Sequence, residues 1–90
     1  MTRQEMEMVV AMEECGELVR AISKVLRHGM TDKNYTNLVE EIGDVQTMIN
    51  LLVSTHEITW GEIEDRVAVK MLKLNKFSYF CNYYICVLVY

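Results

Sequence analysis

Hydrophobic side chains recur every three or four positions through most of the chain, which is the spacing expected along one face of an α-helix. Three amphipathic segments can be separated. Their apolar positions are Met8, Ala11, Cys15, Leu18, Ile22 and Val25; then Leu38, Ile42, Val45, Ile49, Leu52 and Val53; and finally Ile63, Val67, Met71 and Leu74. The pattern predicts an all-α domain with three main helices, in which Cys15 is a small core residue.

Helix-start and helix-end signals flank these segments. Thr2 with Glu5, and Thr59 with Glu62, have the spacing of a capping box, in which the two side chains each bind the backbone N–H of the other residue. Gly29 follows the first segment and suits a helix end with positive φ, because glycine has no Cβ. Two helix starts and one helix end are therefore predicted from local sequence.

The sequence signals for the connection between the first two helices are less specific than those for the helix ends above. Residues 30–35 are rich in turn-forming side chains and are predicted to form a loop. Asp32, Asn34 and Asn37 compete as caps of the second helix, whose periodicity fades near Ile58.

The end of the chain, residues 77–90, differs from what precedes it because it is aromatic, β-branched and without charge. It is too short to cross a membrane as a helix, which takes about 20 residues. A continued helix, a strand and a segment buried in an oligomer all stay open for it. We therefore divide the chain into a helical domain, residues 1–76, and an apolar aromatic tail, residues 77–90.

Composition narrows the class of protein. The chain has 90 residues, of which 51% are hydrophobic and none is proline, which excludes a disordered protein and favours helices. A domain of this size buries a modest fraction of its surface. We therefore expect a homodimer or homotetramer that completes a four-helix-bundle-like core. The net charge of −4 argues against nucleic-acid binding, because a phosphate backbone requires a basic surface.

The first residues and the cysteines bear on the compartment. The chain begins with charged, amphipathic sequence rather than the apolar run of a secretory signal. Its three cysteines lack the spacing of a disulfide framework. We expect a reduced, cytoplasmic protein that does not bind membranes.

Two acidic blocks repeat one pattern 27 positions apart: Glu13-Glu14-Cys15-Gly16-Glu17-Leu18 and Glu40-Glu41-Ile42-Gly43-Asp44-Val45. Each block places two carboxylates three residues apart, which makes them neighbours on one side of a helix. Four carboxylates from two helices are ligands of the kind that a hard divalent cation prefers. Magnesium-dependent phosphate chemistry is the first hypothesis.

Helix geometry divides the acids of the two blocks. At about 100° per residue, one acid of each block falls inside the apolar arc and one at its edge, and these four are Glu14, Glu17, Glu41 and Asp44. The remaining acids, Glu13 and Glu40, face water. An ionised carboxylate is costly to bury without a partner, so a bound cation would explain why two helices each place an acid in the apolar arc.

The order and spacing of these motifs resembles the signature of the MazG-like all-α nucleoside triphosphate pyrophosphohydrolases, over about residues 8–76. The resemblance implies cleavage between the α and β phosphates of a nucleoside triphosphate, with Mg²⁺ held by Glu14, Glu17, Glu41 and Asp44. One glutamate, either Glu13 or a metal ligand such as Glu14, would accept the proton of the attacking water.

The third helix carries Arg66, Lys70 and Lys73 on one side. The family places basic residues at this stage of the chain to hold phosphates, and the resemblance implies that role here. A solvated basic surface is the other interpretation of the same three residues.

The sequence thus predicts a Mg²⁺-dependent nucleotide pyrophosphohydrolase that converts a (d)NTP to a (d)NMP and pyrophosphate. Two alternatives stay open. One is a non-catalytic helical interaction module that uses the apolar faces of its helices to bind a partner protein. The other is a phosphoribosyl-ATP pyrophosphohydrolase.

Overall fold

The computed structural model describes residues 1–76, and the predicted tail at residues 77–90 lies outside this range. Three helices follow one another in the described part: α1 (Arg3–His28), α2 (Asp32–Thr55) and α3 (Trp60–Leu74). No strand occurs within residues 1–76. The all-α prediction with three main helices is therefore confirmed.

The two predicted capping boxes are both present. The Glu5 N–H donates to Thr2 Oγ1 at 3.1 Å, and the Thr2 N–H donates to Glu5 Oε1 at 3.3 Å. The same pair of bonds joins Thr59 and Glu62 at the start of α3. These local bonds satisfy N–H groups that have no partner inside the helix.

The turn between α1 and α2 is shorter than the sequence predicts. Gly29 ends α1 with φ of 85°, as its lack of a Cβ allows. The predicted loop over residues 30–35 is wrong, because α2 begins at Asp32 and its cap is Thr31. Thr31 Oγ1 accepts from the Asn34 N–H at 3.1 Å. The Asn34 side chain instead donates to the Gly29 carbonyl at 2.9 Å, which braces the turn.

The end of α2 contains a residue with an unusual backbone. The helix stops at Thr55, earlier than the predicted fading near Ile58. Glu57 adopts φ of 56°, and the Ile58 N–H donates to the Val53 carbonyl at 3.1 Å. A positive φ followed by a bond back to the last turn is a common way for a chain to leave a helix.

Helices α1 and α2 form an antiparallel hairpin, residues 1–58, which is one compact unit. At the open end of the hairpin, Thr55 Oγ1 donates to Glu7 Oε2 at 2.8 Å. Half-buried and buried positions recur at alternating intervals of four and three along both helices, and this buried seam comprises Glu7, Ala11, Glu14, Leu18, Ala21 and Val25 on α1 and Asn34, Leu38, Glu41, Val45, Met48, Leu52 and Thr55 on α2. Such spacing is typical of two helices packed side by side.

A second set of apolar residues stays exposed, and we call it the apolar stripe. It comprises Met8, Met12, Cys15, Val19, Ile22 and Leu26 on α1 and Tyr35, Val39, Ile42 and Ile49 on α2. The prediction that Cys15 is a core residue is wrong, since this side chain is exposed in the hairpin. Each stripe residue follows a seam residue directly, which rotates it by about 100° around its helix. Because the helices are antiparallel, this rotation brings both halves of the stripe to one side of the hairpin.

The second compact unit begins at Thr59, and its described part contains α3. The half-buried side chains of α3 are Ile63, Met71 and Leu74. None of the helices in residues 1–76 combines the length and apolar character needed to cross a bilayer.

Candidate functional site

The acids of the two sequence blocks differ in exposure, as the helix geometry predicts. Glu14 on α1 and Glu41 on α2 are half-buried and occupy the seam between the two helices. Glu17 and Asp44 are exposed beside them. The two acids predicted to face water, Glu13 and Glu40, are exposed. The placement of Glu14 and Glu41 inside the apolar arc is therefore confirmed. Exposure does not separate Glu17 and Asp44 from Glu13 and Glu40, and the roles of all six acids stay predictions.

The hairpin brings three carboxyl groups close to that of Glu14. Partial removal from water raises the pKa of Glu14, and the negative charges of Asp44, Glu41 and Glu17 raise it further. A hydrogen bond between the Glu14 and Asp44 side chains acts in the same direction. Like charges close together disfavour ionisation of a carboxyl group. The cluster therefore carries excess negative charge that a bound cation would neutralise.

Glu17 has a partner that the sequence analysis did not assign. The Arg20 guanidinium donates to Glu17 Oε1, three residues earlier on α1, and both side chains are largely exposed. The sequence carried this signal, because residues three apart are neighbours on a helix. Exposed ion pairs contribute only about 0–1 kcal/mol. Arg20 can therefore release Glu17 at little cost when a stronger cation competes for that carboxylate.

The donor set of the cluster fits a hard divalent cation. All four groups are carboxylates, which suit Mg²⁺, and Mg²⁺ usually takes only one or two protein carboxylates and completes its shell with water and substrate phosphate. Within residues 1–76, no three His, Cys, Asp or Glu side chains are placed so that they could hold a metal ion together. The four carboxylates therefore have the ligand chemistry that Mg²⁺ prefers, but they do not form a closed cage around one ion.

The predicted phosphate ligands lie on α3, in the second compact unit. Arg66, Lys70 and Lys73 are all exposed. None of them forms an ion pair with another of the described residues. Intervals of four and three place their side chains on one side of α3, and their role as phosphate ligands stays a prediction.

Comparison with known proteins adds one finding. A family model described as the MazG nucleotide pyrophosphohydrolase domain matches residues 3–76. The match covers all three helices and both acidic blocks. Searches of curated proteins and of solved structures returned no match.

Proposed function

The chain belongs to the MazG nucleotide pyrophosphohydrolase domain family, and from this premise we propose that it hydrolyses nucleoside triphosphates to monophosphates and pyrophosphate with the aid of Mg²⁺. The observation that carries the proposal is the packing of α1 against α2 with Glu14 and Glu41 in the seam between them and Glu17 and Asp44 beside them, close enough for the other three charges to raise the pKa of Glu14. The Mg²⁺ that accompanies a nucleoside triphosphate would supply the positive charge that this cluster lacks.

In the proposed reaction the cluster holds the ion and the nearby glutamates move a proton. Glu14, Glu17, Glu41 and Asp44 are the proposed Mg²⁺ ligands. Because no three of them are placed to hold one ion together, the ion would take one or two of them at a time and complete its shell with water and substrate phosphate. When bound, it would polarise the phosphoryl oxygens and favour a nucleophilic water. Glu13 or Glu14 accepts the proton of that water. The water oxygen forms a new bond to phosphorus, the bridge between the α and β phosphates breaks, and pyrophosphate leaves.

Basic side chains bind the polyphosphate in this proposal. Arg66, Lys70 and Lys73 donate charge-assisted hydrogen bonds to phosphate oxygens, and the planar Arg66 guanidinium can bind two oxygens at once. Their positions on one side of α3 support this role because a triphosphate presents several anionic oxygens in a row.

We also propose that a second copy of the chain covers the apolar stripe. Within the hairpin only Ala21, Met48 and Val53 are buried, whereas Val19 is 66% and Leu26 is 82% exposed. Two hairpins that face each other through their stripes form a four-helix core, and a two-fold symmetric pair presents the same surface twice. This arrangement gives a homodimer, and pairing of two dimers would give a homotetramer.

The deciding experiment measures pyrophosphate release from a panel of NTPs and dNTPs, with phosphoribosyl-ATP included, in the presence of Mg²⁺. We expect turnover by the wild-type protein and loss of at least about 100-fold in Glu14→Gln and Glu41→Gln, because each removes a cation ligand. Glu40→Gln is the matched control, since Glu40 adjoins Glu41 but is exposed and faces away from the cluster. Pyrophosphate from none of these substrates would reject the enzyme and favour an interaction module, and full activity of both variants would reject the metal site.

A further inference from the structure

A second charged feature lies at the turn of the hairpin, away from the acidic cluster. A cavity of about 430 Å³ opens between the end of α1 and the start of α2. Its basic lining consists of Lys24, Arg27, His28 and Lys33. No acidic side chain lines it, so we call it the basic cavity.

The cations of the basic cavity lack acidic partners within the described residues. The ion pairs of residues 1–76 are Arg3 with Glu7 and Arg20 with Glu17, and neither pair involves a residue of this cavity. Asp32 and Glu40 line the adjacent groove together with Lys33, but neither carboxylate is within ion-pair distance of the Lys33 ammonium. No ion pair within residues 1–76 therefore neutralises the lysine and arginine side chains that line the cavity.

The helix dipoles explain only some of the basic side chains that line the basic cavity. Arg27 and His28 lie in the last turn of α1, where a positive charge is favourable, and Arg27 Nε donates to the Ser23 carbonyl at 3.5 Å. Lys33 is the second residue of α2, where a positive charge opposes the helix dipole. The helix dipole therefore does not account for Lys33, and an anion in the cavity would offset its charge.

The lining also offers neutral hydrogen-bonding groups. Thr31 and Asn37 line the cavity beside the cations. A tetrahedral phosphate presents several anionic oxygens, which match a set of separate ammonium, guanidinium and amide donors better than the two oxygens of a carboxylate do. The volume of the cavity is of the order of a small ligand rather than of a polymer.

We propose that the basic cavity binds a small phosphate-bearing anion, at a site separate from the acidic cluster. Lys24 is ten residues beyond Glu14, which is about 15 Å along α1. One phosphate group cannot contact both places. The anion is either free inorganic phosphate or pyrophosphate, or the phosphate of a nucleotide.

The test uses the full chain without metal, so that it does not depend on hydrolysis or on the acidic cluster. Inorganic pyrophosphate and a nucleoside monophosphate are titrated separately into the protein at low salt, and binding is followed by calorimetry. The double variant Arg27→Gln with Lys33→Gln is expected to weaken binding roughly tenfold, which corresponds to about 1.4 kcal/mol. Arg3→Gln, at the opposite end of α1, is the control and is expected to bind as the wild-type protein does.

Amide chemical shifts of the wild-type protein provide a measurement that needs no variant. Addition of either probe is expected to shift signals of residues 24–37 and to leave those of Glu14, Glu17, Glu41 and Asp44 in place, and the shifts are expected to weaken at high salt. Binding of pyrophosphate alone would identify a free inorganic anion, and binding of the monophosphate would identify a nucleotide. The proposal is overturned if neither probe binds, if the double variant binds as tightly as the wild-type protein, or if the shifts centre on the acidic cluster.

Discussion

At the scale of single residues, Glu14 is the residue on which the proposed chemistry depends most. It is half-buried in the α1–α2 seam, and its pKa is raised by this burial and by three neighbouring carboxylates. The next two seam positions on α1, Leu18 and Ala21, are apolar, whereas Glu14 places a carboxyl group in the seam. We therefore expect the ionised carboxyl group to lower the stability of the metal-free hairpin, and we propose that a bound cation offsets this cost.

The first prediction concerns the pH dependence of the metal-free protein. The native state holds the Glu14 proton more tightly than the unfolded chain, whose glutamates titrate at the ordinary value of 4.5. The Glu14 contribution to stability is thus fully present below pH 4.5 and is lost as pH rises through the raised native pKa. We expect Glu14→Gln to raise the melting temperature at neutral pH in the presence of a chelator, and to raise it less in acid.

Addition of Mg²⁺ should reverse the order of stability of the wild-type protein and Glu14→Gln. An ion that binds only the native state stabilises it by mass action, by about 2.7 kcal/mol at one hundred times the dissociation constant. The wild-type protein should therefore gain stability on addition of Mg²⁺, Glu14→Gln should gain little, and Glu40→Gln should behave as the wild-type protein. Equal gains in Glu14→Gln and wild type would show that the ion binds elsewhere.

At the scale of the helices, the start of α2 depends on one hydroxyl group. Thr31 Oγ1 accepts from the Asn34 N–H, and the Asn34 side chain binds Gly29 across the turn. We predict that Thr31→Ala lowers the free energy of unfolding by about 1 kcal/mol, because an N-cap hydrogen bond is lost. Urea denaturation followed by circular dichroism measures the change.

Serine is the matched control at this position. Thr31→Ser keeps the hydroxyl and should stay within a few tenths of a kcal/mol of the wild-type value. If Thr31→Ala is as stable as Thr31→Ser, the hydroxyl does not cap α2.

The basic side of α3 gives a prediction about substrate affinity. Lys70 is exposed and is proposed to bind phosphate as a single positive charge. Lys70→Gln should raise KM for the triphosphate and lower kcat/KM roughly three- to tenfold, or about 0.7–1.4 kcal/mol. Steady-state kinetics over a range of substrate concentrations separates KM from kcat.

Lys70→Arg tests whether charge is the property that matters. It keeps the positive charge and should retain most of the affinity. A change in kcat with KM unaltered in Lys70→Gln would contradict a role in ground-state phosphate binding.

At the scale of the whole molecule, the apolar stripe is larger than a two-helix unit can bury. The seam takes one side of α1 and α2, and the stripe lies next to it along much of each helix. Contiguous exposed apolar surface commonly marks an interface. We propose a second hairpin as the partner, because its stripe has the same length and spacing.

Two neighbouring leucine-sized residues on α2 allow a matched test of this interface. Ile49 is 38% exposed on the stripe, and Leu51 is 39% exposed but lies about 200° further around the helix. We predict that Ile49→Glu converts the homodimer to a monomer and reduces pyrophosphate release, because a charge would be buried at the interface. Size-exclusion chromatography with light scattering measures the mass.

Leu51→Glu adds the same charge to the opposite side of α2 and should leave the dimer intact. A wild-type protein that is monomeric at all accessible concentrations would contradict the prediction, as would an Ile49→Glu variant that stays dimeric.

Much of the fold could be read from local sequence because helix periodicity and capping act over a few residues. The two capping boxes, the positive φ at Gly29 and the unequal exposure of neighbouring acids all follow from spacing along one helix. The cap at Thr31 was missed because several polar residues competed over a short stretch, and only the packing of the turn selects among them. The positive φ of Glu57 has no signal in sequence, since glutamate rarely adopts that conformation.

Sequence thus specified the three helices, the acidic blocks and the side of each helix on which the acids lie, because all of these depend on contacts between residues close in the chain. Packing specified two further features. The antiparallel register of α1 and α2 places Glu41 and Asp44 next to Glu14, although they lie far apart along the chain. The same packing divides one broad apolar surface into a buried seam and an exposed stripe, because a second helix can cover only one side of the first.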